Sequence, residues 1–233
     1  IFPAAGAGRR MKADRNKVFL ELSGVPILLR TLRRFSAVPA VAELIVVVAK
    51  DEVAFVEEML EKAQGLKPWR VAQGGAERQY SIANGMAHLA ANADVVLVHD
   101  AARPLVSLAA IEAVIAAARE KGAAIAAVRA KNTIKVVGED GRVEATPSRA
   151  SLWEVQTPQG FRREILERAY EKAAQDGFLG TDDASLVERI GEAVFVVESD
   201  YGNLKITTPE DLWMAEALLA HPAGIADEMK VTI

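Results

Sequence analysis

The sequence predicts an α/β protein with a doubly wound, mostly parallel sheet and a protruding β-hairpin arm. Two observations predict it. Short, continuous runs of β-branched and other apolar residues alternate with amphipathic helical patterns, and one turn-rich segment interrupts that alternation. Strands that are apolar on both faces are typical of parallel sheets covered by helices on each side. The alternation of strands and helices favours parallel strands joined by crossover helices.

Strand and helix candidates follow one another along the chain. The first strand candidate is the apolar run at residues 1–4. The later strand candidates lie at residues 44–49, 95–99, 125–128 and 194–197. The helical patterns lie at residues 51–63, 107–121 and, after the cap Thr208-Pro209, 212–220. Serine before the second of these helices, glycine after it, and proline in the first turn of the third are the expected boundary residues.

One segment breaks the alternation. Residues 133–137 and 142–145 flank the turn Gly138-Glu139-Asp140-Gly141, whose Asp-Gly pair indicates a β-hairpin. Two strands this short are not stable alone, so the hairpin must lie on the body of the protein or on a second subunit. We favour an arm, at about residues 131–148, that protrudes and supports a homodimer; a locally packed hairpin is the alternative. Residues 1–233 then form a single domain with this arm as an insertion.

Composition excludes several classes of protein. The net charge of −4 gives no overall basic surface for nucleic acid. The chain has no cysteine, which excludes disulfide scaffolds, cysteine nucleophiles and thiolate metal sites, and its three histidines are scattered without zinc spacing. No apolar run approaches the roughly 18 residues of a membrane span, and no signal or transit peptide is visible. We therefore expect a cytoplasmic protein, or one of the plastid stroma if the source is a plant.

The glycine-rich loop after the first strand predicts a site for nucleotide phosphates. Gly6 and Gly8, among small alanines, let the backbone bend and expose its N–H groups to an anion. Arg10 and Lys17 add positive charge around the same loop. The loop lacks the third glycine of the dinucleotide fingerprint and the Gly-Lys-Ser/Thr of the P-loop. A simple strand-to-helix turn with incidental cations is the alternative.

The strand that ends at His99 predicts a metal site. Asp100 follows it directly, and ligands of open α/β sheets bind beyond the carboxyl ends of strands. A carboxylate there suits Mg²⁺, which takes one or two protein carboxylates together with substrate phosphates. Arg103 could then meet a second anion. Alternatively, Asp100 only caps a turn.

Three further segments carry weaker signals. Gly74 and Gly75 allow a flat base to approach the backbone closely, and Ser81 could offer its hydroxyl to the edge of that base. Lys205, in a short strand before a capped helix, suits a phosphate, although propensity alone favours a solvated lysine at a sheet edge. Thr181 precedes a helix, where it could cap the helix, face a ligand, or do both.

In this order along the chain, the segments resemble the 2-C-methyl-D-erythritol 4-phosphate cytidylyltransferases of the non-mevalonate isoprenoid pathway. The markers are Ala4-Ala5-Gly6-Ala7-Gly8-Arg9-Arg10-Met11, His99-Asp100-Ala101-Ala102-Arg103-Pro104, Leu152-Trp153, Thr157-Pro158-Gln159, Thr181-Asp182 and Leu204-Lys205-Ile206-Thr207. The resemblance implies a Rossmann-like sheet, a homodimer joined through the arm, and Mg²⁺-dependent transfer of CMP from CTP to a polyol phosphate, with release of pyrophosphate. A relative that acts on ribitol 5-phosphate and a non-catalytic nucleotide-binding protein of the same fold are the alternatives.

The resemblance also implies roles for individual residues. The implied catalytic residues are Arg10, Lys17 and Lys205. The implied nucleotide contacts are Ala4, Ala5, Gly6, Gly8, Gly74, Gly75, Ser81 and Asp100, of which Asp100 also holds Mg²⁺. The implied contacts of the polyol phosphate are Arg103, Thr157, Thr181 and Lys205, with Thr133 and Arg149 reaching in from a second subunit. The sequence departs from the family pattern at Asn16, Val18, Ala76 and Asn132. The first departure replaces a usual proline and is expected to loosen the loop that carries Lys17.

Overall fold

The computed structural model of the protein describes residues 1–6 and 16–221. Its strands are β1 (Phe2–Pro3), β2 (Glu21–Leu22), β3 (Val25–Pro26), β4 (Leu44–Val48), β5 (Trp69–Gln73), β6 (Val95–Val98), β7 (Ala123–Arg129), β8 (Val136–Val137), β9 (Val143–Ala145), β10 (Trp153–Arg162) and β11 (Phe195–Glu198). Its α-helices are α1 (Ile27–Ser36), α2 (Val53–Lys62), α3 (Arg78–Met86), α4 (Leu108–Lys121), α5 (Arg163–Gln175), α6 (Asp183–Arg189) and α7 (Pro209–Ala220).

The main strands form a mixed sheet in two hydrogen-bonded groups that Ile1 joins. One group is β1-β4-β5, all parallel, and the other is β11-β7-β10-β6. The terminal nitrogen of Ile1 donates to the carbonyl oxygen of Leu97 at 2.6 Å, and the amide of His99 donates to the carbonyl oxygen of Ile1 at 2.9 Å. These slanted bonds are the parallel pattern, so the order is β11-β7-β10-β6-β1-β4-β5. Among these seven strands, only β10 runs antiparallel to its neighbours, which confirms the mostly parallel sheet.

Strand β4 shows why the sheet must be covered on both sides. All five of its residues are buried. Val46 packs in the core cluster that contains Phe35 of α1, whereas Val47 packs in the cluster that contains Ile82 of α3 and Phe161 of β10. Successive side chains of a strand point to opposite faces, so a continuous apolar run fills two cores at once. The doubly wound architecture predicted from these runs is confirmed.

Helix boundaries follow the predicted signals, whereas strand β10 was not predicted. The hydroxyl of Ser107 accepts from the amide of Ala110 at 3.2 Å, and Gly122 ends α4 with a φ of 95°. Three polar residues that are nevertheless buried, Gln156, Thr157 and Gln159, interrupt the apolar pattern of β10. The sequence therefore did not mark a strand there, although β10 lies between β6 and β7.

Among residues 1–6 and 16–221, no helix is both long and apolar enough to span a bilayer.

The hairpin stands away from the body of the protein. β8 and β9 pair antiparallel, and every residue of both strands is exposed. Four branched apolar side chains, those of Ile134, Val136, Val137 and Val143, are 42–53% exposed. At its base, Arg149 Nη1 donates to the carbonyl oxygen of Lys131 at 2.9 Å. The predicted hairpin is thus present, and its apolar strip is not covered by the described residues of its own chain; its role as an arm of a dimer stays a prediction.

Candidate active site

A cleft of about 530 Å³ opens at the carboxyl ends of β1, β5 and β6. Several residues predicted to bind the nucleotide, the metal or the polyol phosphate line it, namely Ala4, Ala5, Gly6, Lys17, Gly75, Ser81, Asp100 and Lys205. Parallel strands place their carboxyl ends at the same edge of a sheet, so loops that are distant in sequence meet there. Gly8 and Arg10, which were also predicted to contact the nucleotide, lie outside the described residues.

Asp100 lies at the centre of a cluster of cations. Its Oδ2 atom is 3.1 Å from Lys205 Nζ and 3.2 Å from Arg103 Nε, and its Oδ1 atom is 3.9 Å from Arg78 Nε. Burial by itself raises the pKa of Asp100, but the attraction of these three cations outweighs burial and holds that pKa well below its usual range. The carboxylate is therefore ionised, and the cations around it exceed it in charge.

The chemistry of this position fits a magnesium ion. Asp100 offers one ionised carboxylate inside the cleft. Within the described part of the chain, no group of three His, Cys, Asp or Glu residues could hold a metal without other ligands. Mg²⁺ commonly keeps several waters and binds through one or two carboxylates plus substrate phosphates. One carboxylate among three cations is an arrangement that suits an ion arriving with a phosphate ligand.

The turn after β6 is held from behind by a buried relay of hydrogen bonds. The amide of Asp100 donates to Thr157 Oγ1 at 3.0 Å, Thr157 Oγ1 lies 3.1 Å from His99 Nδ1, and His99 Nε2 lies 3.1 Å from the carbonyl oxygen of Arg103. A carbonyl only accepts, so Nε2 carries the proton and Nδ1 accepts from the Thr157 hydroxyl. Burial lowers the pKa of His99 to about 3, which keeps the ring neutral. Thr157, predicted to contact the polyol phosphate, thus lies buried behind Asp100.

Glycine is required where the loop after β5 meets the end of β1. A Cβ atom on Gly74 would lie 2.6 Å from Ala5 Cβ and 3.0 Å from Ser81 Oγ. The Ser81 hydroxyl accepts from the amide of Gly75 at 3.1 Å and donates to the carbonyl oxygen of Glu77 at 3.0 Å. Ser81 therefore shapes this loop, and the close packing leaves a floor of backbone and small side chains.

Asn16, which departs from the family pattern, fastens the turn that carries Lys17. Asn16 is buried, and its Nδ2 atom donates to the carbonyl oxygen of Ala4 at 2.6 Å and to Glu52 Oε2 at 3.3 Å. Its Oδ1 atom accepts from the amide of Val18 at 3.4 Å. The expectation that this departure loosens the loop is not supported by these bonds, because the carboxamide ties Lys17 to the end of β1.

The residues predicted to contact the polyol phosphate lie in different surroundings. Arg103 is mostly buried, and its Nη1 atom donates to the carbonyl oxygen of Asn203 at 2.7 Å. Thr181 is exposed on the loop before α6. Thr133 and Arg149 are exposed beside the arm and are not among the described residues that line the cleft of their own chain.

Arg78 is a cleft residue to which sequence reasoning assigned no role. Its Nη2 atom is 2.8 Å from Oδ2 of the buried Asp183, whose Oδ1 atom accepts from the Tyr170 hydroxyl at 2.5 Å. The positive end of the α3 dipole disfavours a cation at the first position of the helix. An arginine there needs an anionic partner, and this was the one signal in the sequence that could have identified Arg78.

Comparisons with known proteins point to one family. A family model described as 2-C-methyl-D-erythritol 4-phosphate cytidylyltransferase matches residues 1–221. The chain is 47% identical over 225 residues to the protein of that name from Bacillus pumilus, which covers 96% of this chain and 97% of the relative. It is 48% identical over 223 residues to the protein of that name from Geobacter metallireducens, with 94% and 96% covered. The solved structure of 4-diphosphocytidyl-2C-methyl-D-erythritol synthase from Anaerococcus prevotii matches with a TM-score of 0.83 at 34% identity, covering 94% of this chain and 96% of that chain.

Proposed function

Because this chain belongs to the 2-C-methyl-D-erythritol 4-phosphate cytidylyltransferase family, we propose that it transfers CMP from CTP to 2-C-methyl-D-erythritol 4-phosphate. A phosphate oxygen of the polyol phosphate attacks the α-phosphorus of CTP. The new P–O bond forms, the bond between the α- and β-phosphates breaks, and pyrophosphate leaves with its electron pair. The attacking phosphate is already ionised near pH 7, so the reaction needs no general base. Because this phosphate attacks CTP directly, the reaction needs no covalent enzyme intermediate.

The observation that carries the proposal is the cluster of cations around Asp100 in the cleft. Two anions must approach each other, and the positive charge of Arg103 and Lys205 beside Asp100, with that of Lys17 in the lining of the cleft, offsets their repulsion. Asp100 would hold Mg²⁺, which would supply further positive charge to the phosphates. Catalysis by this set of residues consists of positioning and electrostatic stabilisation.

The exposed apolar strip of the arm supports a homodimer as part of the proposal. Branched apolar side chains at Ile134, Val136, Val137 and Val143 lie on a hairpin too small to be stable without a partner. A second copy of the chain covers this strip and receives Thr133 and Arg149 at its polyol site. We expect Val137→Glu to shift the mass measured by light scattering from dimer to monomer, and an unchanged dimer mass would refute this interface.

The test of the reaction is a pyrophosphate-release assay. CTP is crossed against 2-C-methyl-D-erythritol 4-phosphate and ribitol 5-phosphate, and UTP replaces CTP in a parallel series. We expect release only with CTP and the methylerythritol substrate, because a site that pairs with the amino edge of cytosine rejects a base lacking it. Release with ribitol 5-phosphate alone would identify the related enzyme. CTP binding without release in any combination would indicate a non-catalytic nucleotide-binding protein.

A matched pair of lysine variants distinguishes the loss of a cation in the cleft from the loss of a cation elsewhere on the surface. Lys205→Ala removes a cation 3.1 Å from Asp100, whereas Lys62→Ala removes an exposed cation paired with Glu58 on α2. We expect Lys205→Ala to lower kcat by at least ~10²-fold, the order found when one preorganised donor is removed. Lys62→Ala should leave kcat unchanged.

We also propose a cytoplasmic location, which fractionation of the source cells tests.

A further inference from the structure

The buried side chain of Asn203 fastens the loop that carries Lys205 to strand β10. Asn203 is fully buried. Its Nδ2 atom donates to Gln156 Oε1 at 2.9 Å and to the carbonyl oxygen of Thr157 at 2.8 Å. Both acceptors belong to β10, so one carboxamide ties this surface loop to an interior strand of the sheet.

The backbone around Asn203 adds further anchors. Its carbonyl oxygen accepts from Arg103 Nη1 at 2.7 Å, and its amide donates to Asp200 Oδ1 at 3.0 Å. Three residues later, the amide of Ile206 donates to the carbonyl oxygen of Ala102 at 2.8 Å. The loop is thus held at one point to β10 and at another to the turn that carries Asp100, and Lys205 lies between the two points.

The fixed backbone matters because the two cations that depend on it are long and flexible. Lys205 reaches Asp100 with a side chain that is 41% exposed, and ordering such a side chain costs rotamer entropy. Arg103 keeps its direction by donating both to Asp100 and to the carbonyl oxygen of Asn203. A displacement of Asn203 would therefore move both cations relative to the same carboxylate.

We infer that Asn203 is a positioning residue for the proposed transfer, because its two amide donors set Lys205 and Arg103 against Asp100. The inference rests on the proposed function. Asn203 does not line the cleft among the residues described there, so it acts through its neighbours and touches no substrate. Both neighbours are assigned to the polyol phosphate, so the effect should fall on that substrate and on the chemical step, not on CTP.

The kinetic test compares Asn203→Ala and Asn203→Asp with the control Glu43→Ala. Glu43 Oε1 accepts from the amide of Ala90 at 2.7 Å next to the amino end of β4, so its loss removes a partly buried hydrogen bond away from the cleft. For Asn203→Ala we expect kcat/KM for the polyol phosphate to fall about 10- to 100-fold, since small misplacements of a reacting constellation are this costly. KM for CTP should stay within about twofold. The control should match the parent in both.

Asn203→Asp distinguishes donation from packing. Aspartate has the size of asparagine, but as a carboxylate it offers only acceptors to the two acceptors that Asn203 now satisfies. We therefore expect Asn203→Asp to be no better than Asn203→Ala. A parent-like Asn203→Asp variant would overturn the inference, because aspartate fills the same space without the two donors. Gln156→Leu leaves Asn203 unchanged but removes one of its acceptors, together with the bond that Gln156 Nε2 donates to the carbonyl oxygen of Asp200 on the same loop. It should produce a loss of the same kind even if the Asn203 variants fold poorly.

Hydrogen exchange provides a readout that does not depend on activity. In the Asn203 variants the amide of Ile206 should exchange at least about tenfold faster than in the parent, while Glu43→Ala leaves it protected. An active parent with control-like kinetics and control-like exchange in Asn203→Ala would refute the positioning role. If the parent itself released no pyrophosphate, the proposed function would fail separately, and exchange would still decide whether Asn203 fastens the loop.

Discussion

Gly74→Ala should displace the loop after β5 that carries Gly75 into the cleft. The added Cβ atom would lie 2.6 Å from Ala5 Cβ, whereas carbon atoms in contact prefer about 3.5–4.0 Å, so the loop must move by about 1 Å. Ala5 has no rotatable side chain that could give way, and the amide of Gly74 is bonded to the carbonyl oxygen of Val48 at 2.7 Å. Overpacking of this kind costs about 1–3 kcal/mol.

Two measurements check this prediction. A loss of this size corresponds to a fall in Tm of roughly 2–12 °C for a domain of this length. KM for CTP should rise by at least about tenfold, because the amide of Gly75 and the hydroxyl of Ser81 shift with the loop. The rescue variant combines Gly74→Ala with Ala5→Gly, which removes the atom that the new Cβ meets. The pair should be more stable than the sum of the single changes predicts. A parent-like Tm and KM for Gly74→Ala, or strict additivity in the double variant, would refute the steric reasoning.

Three further predictions concern the rest of the cleft. Asn16→Ala removes the bond to the carbonyl oxygen of Ala4 and should lower kcat with little change in CTP affinity. Asn16→Pro should retain more activity than Asn16→Ala, because the φ of −56° at this position suits proline. Equal kcat values for the two variants in steady-state kinetics would contradict this prediction. Chains carrying Lys17→Ala and chains carrying Arg149→Ala, each inactive alone, are mixed. If each site is built from both subunits, about a quarter of parent activity should return, since half of the dimers are heterodimers with one intact site. No recovery despite subunit exchange would mean that each chain builds its own site. Because the pKa of Asp100 is lower in the folded state, its ionised carboxylate stabilises the fold at pH values above its unfolded pKa of about 3.9. This stabilisation is lost as the pH falls towards the pKa of the folded state. The difference in Tm between the parent and Asp100→Asn should therefore shrink as the pH falls from about 5 to about 2, and a constant difference would exclude the ion pairs as its cause.

The elements that could be predicted from the sequence are those whose pattern is local. Strand β4 is apolar throughout because both of its faces are buried, and helix α4 begins at a serine cap and ends at a glycine. Such signals depend on neighbours within a few residues. Strand β10 gave no such signal, because Gln156 and Gln159 are polar and yet buried. Their partners lie 44 and 23 residues away, on the loop at Asp200 and at Asp182.

The same distinction between local and long-range signals applies to the candidate site. The sequence by itself determined which loops meet, since parallel strands bring their carboxyl ends to one edge, and it identified Asp100 and Lys205 by residue type. Only the tertiary structure decided which polar groups pair within that site. Arg78 meets Asp183 across 105 residues, and Asn203 meets β10 across 46 and 47 residues. A side chain carries its donors and acceptors wherever it stands, but packing chooses its partners, because burial makes an unpaired polar group costly and leaves few atoms within reach.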